Sequence, residues 1–317
     1  MSFQETFPLK DRRIWVTGGT GFLGRAVVAE LLRRGAKPMA TGRREVDLLD
    51  PGAAEAFLDR ERPEGVIHLA GIVGGIGANR RQPGTFFYAN MVMGLHLIEA
   101  CRRKETPKLL VAGTVCAYPK HCPVPFREEH LWDGYPEETN APYGVAKKAL
   151  LVQLQGYRKE FGLRGIFLIP VNLYGPEDHL DLESNHVIPA LILRLITARN
   201  QGLPYVELWG TGTPSREFLY VEDAAEGMCD AMARYEGADP VNLGTGRELT
   251  ICALAETIRD RVGYRGELRF NANFPDGQPR RQLDVTRAKE RFGWEARVDL
   301  EEGLRRTIAW AEAALRG

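Results

Sequence analysis

Tyr143 and Lys147 stand four residues apart in the run Tyr143-Gly144-Val145-Ala146-Lys147. On a helix that spacing sets both on one face. An ammonium beside a phenol stabilises the tyrosinate, so the pair is expected to have a lowered tyrosine pKa and to give or take a proton near neutral pH. A surface tyrosine and lysine at the same spacing would look identical, so the pattern needs a context. Thr114 ends an apolar run at 108–113, which sets it at the carboxyl edge where ligands bind in open α/β sheets. Its hydroxyl can bond the same substrate oxygen as Tyr143. Cys116 lies two residues on. In an extended chain the two side chains point the same way, although a lone cysteine is more often inert packing.

The context lies near the start of the chain. Thr17-Gly18-Gly19-Thr20-Gly21-Phe22-Leu23-Gly24 sets Gly18, Gly21 and Gly24 three apart, between a strand-like and a helix-like run. That is the setting of a dinucleotide fingerprint. Small residues let the backbone approach a pyrophosphate at a helix N-terminus, where free N–H groups favour anions. The second strand ends Thr41-Gly42-Arg43-Arg44. An acidic residue there would suit the adenine ribose of NAD. The Arg43 guanidinium instead forks onto a 2′-phosphate, which predicts NADP(H). Asp47 is expected near the adenine or in a turn. Leu69, Ala70 and Gly71 follow His68 at the third strand's end and suit close passage of the same cofactor. His68 itself reads as structural. Lys147 can then also bond the nicotinamide ribose.

Several elements must position these groups. Strand-like runs at 13–17, 38–42, 66–71, 108–113 and 166–171 alternate with helical patterns at 22–34, 53–62, 85–104 and 143–161. That alternation predicts an α/β fold with a Rossmann-type doubly wound parallel sheet. Later come a loop at 176–184, a helix at 187–200, a strand at 205–209, a strand then helix over 217–235 and a last strand at 241–244. Helices at 252–262 and 300–315 flank a polar loop. Residues 1–176, with 217–246 returning, are expected to form the NADP-binding domain. Residues 177–216 and 247–317 are expected to form a smaller, interleaved C-terminal α/β substrate domain.

Composition narrows the partners. The 317 residues carry 42 basic and 42 acidic side chains, so no overall charge draws the chain to nucleic acid or to an anionic membrane. Anionic ligands must be held by local basic residues. The five cysteines are odd in number and lack CxxC spacing, which argues against disulfides and against a metal site. A reducing cytoplasm is the expected setting. The opening MSFQETFPLKDRR lacks the apolar stretch of a signal peptide, and no apolar run is long enough to predict a membrane span.

At these residues the chain resembles the extended short-chain dehydrogenase/reductases, and within them the GDP-L-fucose synthase family, over nearly its whole length. The likeness also rests on Ala70-Gly71-Ile72-Val73-Gly74-Gly75-Ile76 with Asn79, Cys116-Ala117-Tyr118-Pro119-Lys120, and Pro170-Val171-Asn172-Leu173-Tyr174-Gly175-Pro176. Later motifs are Asn185-His186-Val187-Ile188-Pro189-Ala190-Leu191, Trp209-Gly210-Thr211-Gly212, Arg216-Glu217-Phe218-Leu219 and Pro275-Asp276-Gly277. The resemblance implies epimerisation of GDP-4-keto-6-deoxy-D-mannose at carbons 3 and 5, then reduction of the 4-ketone with NADPH. Protons beside a ketone are acidic because the enolate is stabilised. The family likeness assigns their exchange to Cys116 and His186, residue types whose unperturbed pKa values of about 8.5 and 6.5 suit proton shuttling near neutrality. Tyr143 would protonate the carbonyl oxygen with Lys147 in support. Pro170, Asn172, Leu173 and His186 would lie along the cofactor. Asn172, Arg194, Trp209, Arg216 and Asp276 would surround the GDP-linked substrate, and the helices at 85–104 and 143–161 would form a homodimer contact.

The chain departs from that family where Thr114 and Val115 replace serines and Ala117 replaces isoleucine. These changes leave room for a related sugar, a heptose included. Gly144 for alanine reads as minor. Three other readings compete. A dehydratase would carry an acidic residue at the Val115 position. A relative could only epimerise or only reduce. A non-catalytic NADP-binding sensor would tend to lose the Tyr143/Lys147 pair.

Overall fold

The computed structural model describes residues 3–180, 186–274 and 276–316. Asn185 and Pro275 of the motifs above lie outside the described residues. The first half alternates as β1 (Arg13–Thr17), α1 (Phe22–Arg33), β2 (Lys37–Thr41), α2 (Ala53–Glu61), β3 (Gly65–His68), α3 (Ile76–Arg81), α4 (Pro83–Arg103), β4 (Lys108–Ala112), α5 (Ala141–Phe161) and β5 (Gly165–Pro170). Then follow β6 (Asn172–Tyr174), α6 (Val187–Gln201), β7 (Tyr205–Trp209), β8 (Ser215–Tyr220), α7 (Val221–Arg234), β9 (Val241–Leu243), β10 (Glu248–Thr250), α8 (Ile251–Val262), β11 (Glu267–Asn271), α9 (Thr286–Phe292) and α10 (Leu300–Ala314).

Ile14, Trp15 and Val16 are fully buried, as are Leu109, Leu110 and Val111. Strands apolar on both faces need helices on both faces, which is the arrangement of a parallel sheet. The six strands run in the order β2-β1-β3-β4-β5-β9, and every neighbouring pair is parallel. Strand order reverses between β1 and β3, which opens a crevice at their carboxyl ends. Thr17 and His68 sit opposite one another at that edge.

Differences from the expected elements have local causes. The third strand stops at His68 rather than 71, because Leu69 N–H makes the last bond to the Thr17 carbonyl and Ala70 N–H turns to the Thr17 hydroxyl. Past Pro170, which has no N–H to give the ladder, the chain leaves the large sheet. It enters a second sheet, β10-β8-β6, where Asn172 sits opposite Phe218. A parallel pair joins β11 to β7. The expected polar loop between 262 and 300 therefore holds a strand and the helix α9. Strands of three residues are too short to show a period.

Two apolar cores result. One surrounds the six-stranded sheet and the other gathers α6, α8, α10 and the smaller sheets. Leu283, Ala288, Phe292 and Trp294 belong to the first, so the segment after 247 does not pack as one block. The Trp294 ring lies against α7 at Gly227, where a Cβ would stand 2.7 Å from it.

Candidate active site

Every residue named above as catalytic or ligand-binding lines a single cavity of about 1020 Å³. It runs from the β1–β3 crevice to the second core.

The β1 end is built from backbone. Gly18 holds φ at +68°, and a Cβ there would stand 2.8 Å from the Ala70 nitrogen. A Cβ on Gly24 would stand 2.0 Å from the Gly18 carbonyl oxygen. The turn is thus closed against both the third strand and its own helix. The first turn of α1 carries no side-chain cap, which leaves its N–H groups for an anion. Gly71 is fixed in the same way, because a Cβ would stand 2.8 Å from Asn90 Oδ1 and 3.6 Å from Lys147 Nζ. Arg43 reaches out at the β2 edge, with Nε 3.2 Å from Asp47 Oδ2. Asp47 also accepts from Leu49 N–H. That bond holds Asp47 in a turn at the rim of the cavity, which it also lines. His68 is fully buried, with Nδ1 2.8 Å from the Thr17 hydroxyl. Burial, then the Lys147 charge, pushes its pKa well below the usual imidazole value.

Tyr143 and Lys147 lie in the first turns of α5, which carries Pro142 as its second residue, where its missing N–H costs nothing. Both are buried. The expected lowering of the Tyr143 pKa is not found. Burial raises it, the Cys116 sulfur nearby adds to the rise, and the Thr114 hydroxyl opposes it. Lys147 is the group that burial brings towards neutrality, down to about 8. At neutral pH the phenol holds its proton, the state a donor needs.

Cys116 does not follow Thr114 in an extended chain. Val115–Ala117 form a turn of 3-10 helix whose N-cap is Thr114, with its hydroxyl accepting from Cys116 N–H at 3.2 Å. The turn rests on α5 at Gly144, where a Cβ would stand 2.3 Å from the Cys116 carbonyl oxygen. The glycine that reads as a minor change in the sequence is therefore what lets the cysteine turn sit this close. His186 precedes α6 and is exposed. Its Nδ1 is 3.8 Å from Asp178 Oδ2, a buried oxygen with no hydrogen-bond partner among the described residues.

Arg216 is buried and, among the described residues, donates only to the carbonyls of Ser215 and Asp276. Burial, then neighbouring Arg281, pushes its pKa down to about 9, which leaves it charged at neutral pH. Trp209 stacks on Phe274 with ring centres 4.5 Å apart, and Arg194 lies 5.8 Å over the indole. Both Asp276 carboxylate oxygens are occupied by Thr211, at 2.7 Å from its N–H and 2.8 Å from its hydroxyl. Asn172 donates to the Glu217 carbonyl and accepts from Arg281. Asp178, Gln278 and Arg281 also line the cavity. Sequence reasoning missed all three, and Asp178 and Gln278 sat in plain view, one or two residues beyond quoted motifs.

Residues 14–244 match the NAD dependent epimerase/dehydratase family. A GDP-L-fucose synthase from Sinorhizobium fredii (strain NBRC 101917 / NGR234) is 39% identical over 296 residues, covering 93% of this chain and 94% of the relative. Among solved structures, a GDP-6-OMe-4-keto-L-xylo-heptose reductase from C. jejuni superposes with a TM-score of 0.89 at 26% identity, covering 96% of this chain and 98% of that one. A GDP-L-fucose synthetase from Naegleria fowleri bound to NADP gives a TM-score of 0.88 at 27% identity, covering 99% and 98%. The chain belongs to the NAD dependent epimerase/dehydratase family, on the branch that holds the GDP-L-fucose synthases.

Proposed function

We propose that this enzyme epimerises a GDP-4-keto-6-deoxy sugar at carbons 3 and 5 and reduces its 4-ketone with NADPH, giving GDP-L-fucose. The observation that carries this reading is one cavity holding two sets of proton-handling groups, Tyr143/Lys147/Thr114 and Cys116/His186, in a chain 39% identical to a GDP-L-fucose synthase. The first set alone would serve a reductase.

The β1 end fits NADP(H). Gly18 and Gly24 form a cradle that a Cβ would fill, the uncapped α1 N-terminus favours a diphosphate, and Arg43 suits a 2′-phosphate. Bound there, the cofactor supplies hydride to the ketone carbon. Tyr143 donates its proton to the ketone oxygen, and Thr114 bonds the same oxygen. Lys147, with a pKa of about 8, keeps a charge beside the phenol and replenishes its proton. Pro170, Asn172, Leu173 and His186, which line the same cavity, would hold the nicotinamide half of the cofactor. Before reduction, Cys116 takes a proton from a carbon beside the ketone. The enolate forms, and His186 returns a proton to the opposite face. Arg194, Trp209, Arg216 and Asp276 hold the nucleotide, the charged Arg216 suiting its diphosphate.

The same reading places residues 1–176 and 217–246 in a nucleotide-binding domain, joined by the stretch around α9, with the rest in a substrate domain. Phe87, Tyr88 and Leu95 of α4 and Val152 of α5 are exposed. They support a homodimer through these two helices. No helix among the described residues is long and apolar enough to cross a membrane, and cytoplasmic residence is proposed with the rest. Incubation with GDP-4-keto-6-deoxy-mannose and NADPH, followed by product NMR, tests the reading. Reduction without inversion would leave a 4-reductase of the kind its C. jejuni structural neighbour is named for.

A further inference from the structure

Arg281 is almost wholly buried in the wall of the cavity. Its neighbour Arg280 pairs with Glu248, but Arg281 has no carboxylate partner among the described residues. Its Nε and Nη2 both donate to Gln278 Oε1, at 3.3 and 3.2 Å. Nη1 donates to Asn172 Oδ1 at 3.3 Å and lies 3.8 Å from Cys116 Sγ. Gln278 is itself tied down, because its Nε2 donates to the carbonyls of Pro119 and Lys120 at 3.2 and 3.1 Å. Those carbonyls belong to the segment that leaves Cys116. The guanidinium and the sulfur are thus held by the same short stretch of chain.

A guanidinium stays charged in a protein, and a buried charge without a counter-charge is costly. Of the three atoms that Arg281 touches among the described residues, two are amide oxygens of Gln278 and Asn172, which stay neutral. Only the Cys116 thiol can become an anion. We propose that Arg281 is the positioning residue for Cys116: its Nη1 fixes the direction of the thiol and sets a permanent positive charge beside the sulfur that takes up the proton. This rests on the reading of Cys116 as a proton carrier. The rival role for Arg281 is binding the substrate diphosphate. Arg216, whose hydrogen bonds among the described residues all go to main-chain carbonyls and none to the sulfur, already provides a cation for that.

The test is iodoacetamide labelling at pH 7 of the NADPH-bound wild type, Arg281→Gln and Arg281→Lys, with the rate at each cysteine read by peptide mass spectrometry. Half-buried Cys252 is the internal reference. Arg281→Gln is expected to slow labelling of Cys116 by about tenfold and leave Cys252 unchanged, while Arg281→Lys stays within about threefold of wild type. Labelling of Cys116 at the wild-type rate in Arg281→Gln overturns the proposal, and so does a raised KM as the sole effect. If Arg281→Gln does not fold, Arg281→Lys decides, with a tenfold loss at Cys116 and intact NADPH binding counting against the role of charge. Solvent deuterium incorporation into substrate separates the two layers of the argument. Slowed labelling with undiminished incorporation in Arg281→Gln supports the Arg281–Cys116 pair and removes Cys116 as the proton carrier.

Discussion

The β1 end of the cavity is shaped by missing side chains, and the far end by side chains held in place by one another. Gly18, Gly24 and Gly71 are tolerated by their neighbours only without a Cβ, and the groups they present are backbone N–H. At the far end Arg216 and Thr211 both donate to Asp276, and Arg281 donates to Asn172 and Gln278, so two small hydrogen-bonded groups bring together distant parts of the chain. A backbone cradle tolerates little change but asks little of distant sequence. A side-chain network can be retuned residue by residue. Tyr143 and Cys116 stand at the junction, so variants there separate what each half contributes.

The largest effect is expected at the junction. Tyr143→Phe removes the proton donor and should lower the reduction rate by about a thousandfold, a size within the range of general acid catalysis. NADPH titration by fluorescence should be unchanged, and an active variant would require another donor. Cys116→Ser should cut deuterium incorporation beside the ketone by about a hundredfold, while hydride transfer to an already epimerised substrate changes little. Normal incorporation would place the base elsewhere. Gly144→Ala forces the Cys116 turn off α5 and should lower incorporation more than reduction, with a stability loss of about 1–3 kcal/mol by thermal melting. Equal losses in both steps would mean that the turn does not set the aim of the thiol. On the cofactor side alone, Arg43→Ala should reduce the preference for NADPH over NADH by about tenfold. Equal affinities in the wild type would remove the 2′-phosphate argument.

The smallest effect concerns pH. Lys147 has a folded-state pKa of about 8, below its unfolded value because of burial. Its charged form is disfavoured in the folded chain, so the penalty is full below pH 8 and is relieved as pH rises towards the unfolded value. Reduction needs that charge and should fall as pH rises through about 8. Lys147→Met should lose the reduction but melt no lower than wild type at pH 7. A lower melting temperature would mean that Lys147 contributes contacts that outweigh the burial of its charge.

The same division explains what could be read from the sequence. The cradle was legible because its glycines lie within eight consecutive residues, and the alternating strands and helices announced the large sheet. The reversal of the Tyr143 pKa was not legible, because burial depends on how α5 packs under Cys116. The role of Gly144 was hidden because its partner, the Cys116 carbonyl, is distant in sequence. Arg281 stands 165 positions from Cys116, and no spacing rule connects two residues brought together only by the path of β6 and the segment before α9. The family motifs ran to Gly277 and stopped there, one residue short of Gln278 and four short of Arg281.

The central claim is that one cavity both inverts and reduces its substrate. It is tested most directly by incubating the enzyme with GDP-4-keto-6-deoxy-mannose and NADPH in deuterated water and analysing the product by mass spectrometry and NMR. The account predicts GDP-L-fucose with deuterium at carbons 3 and 5 and one NADPH consumed per product. A reduced product carrying no deuterium at either carbon would contradict it.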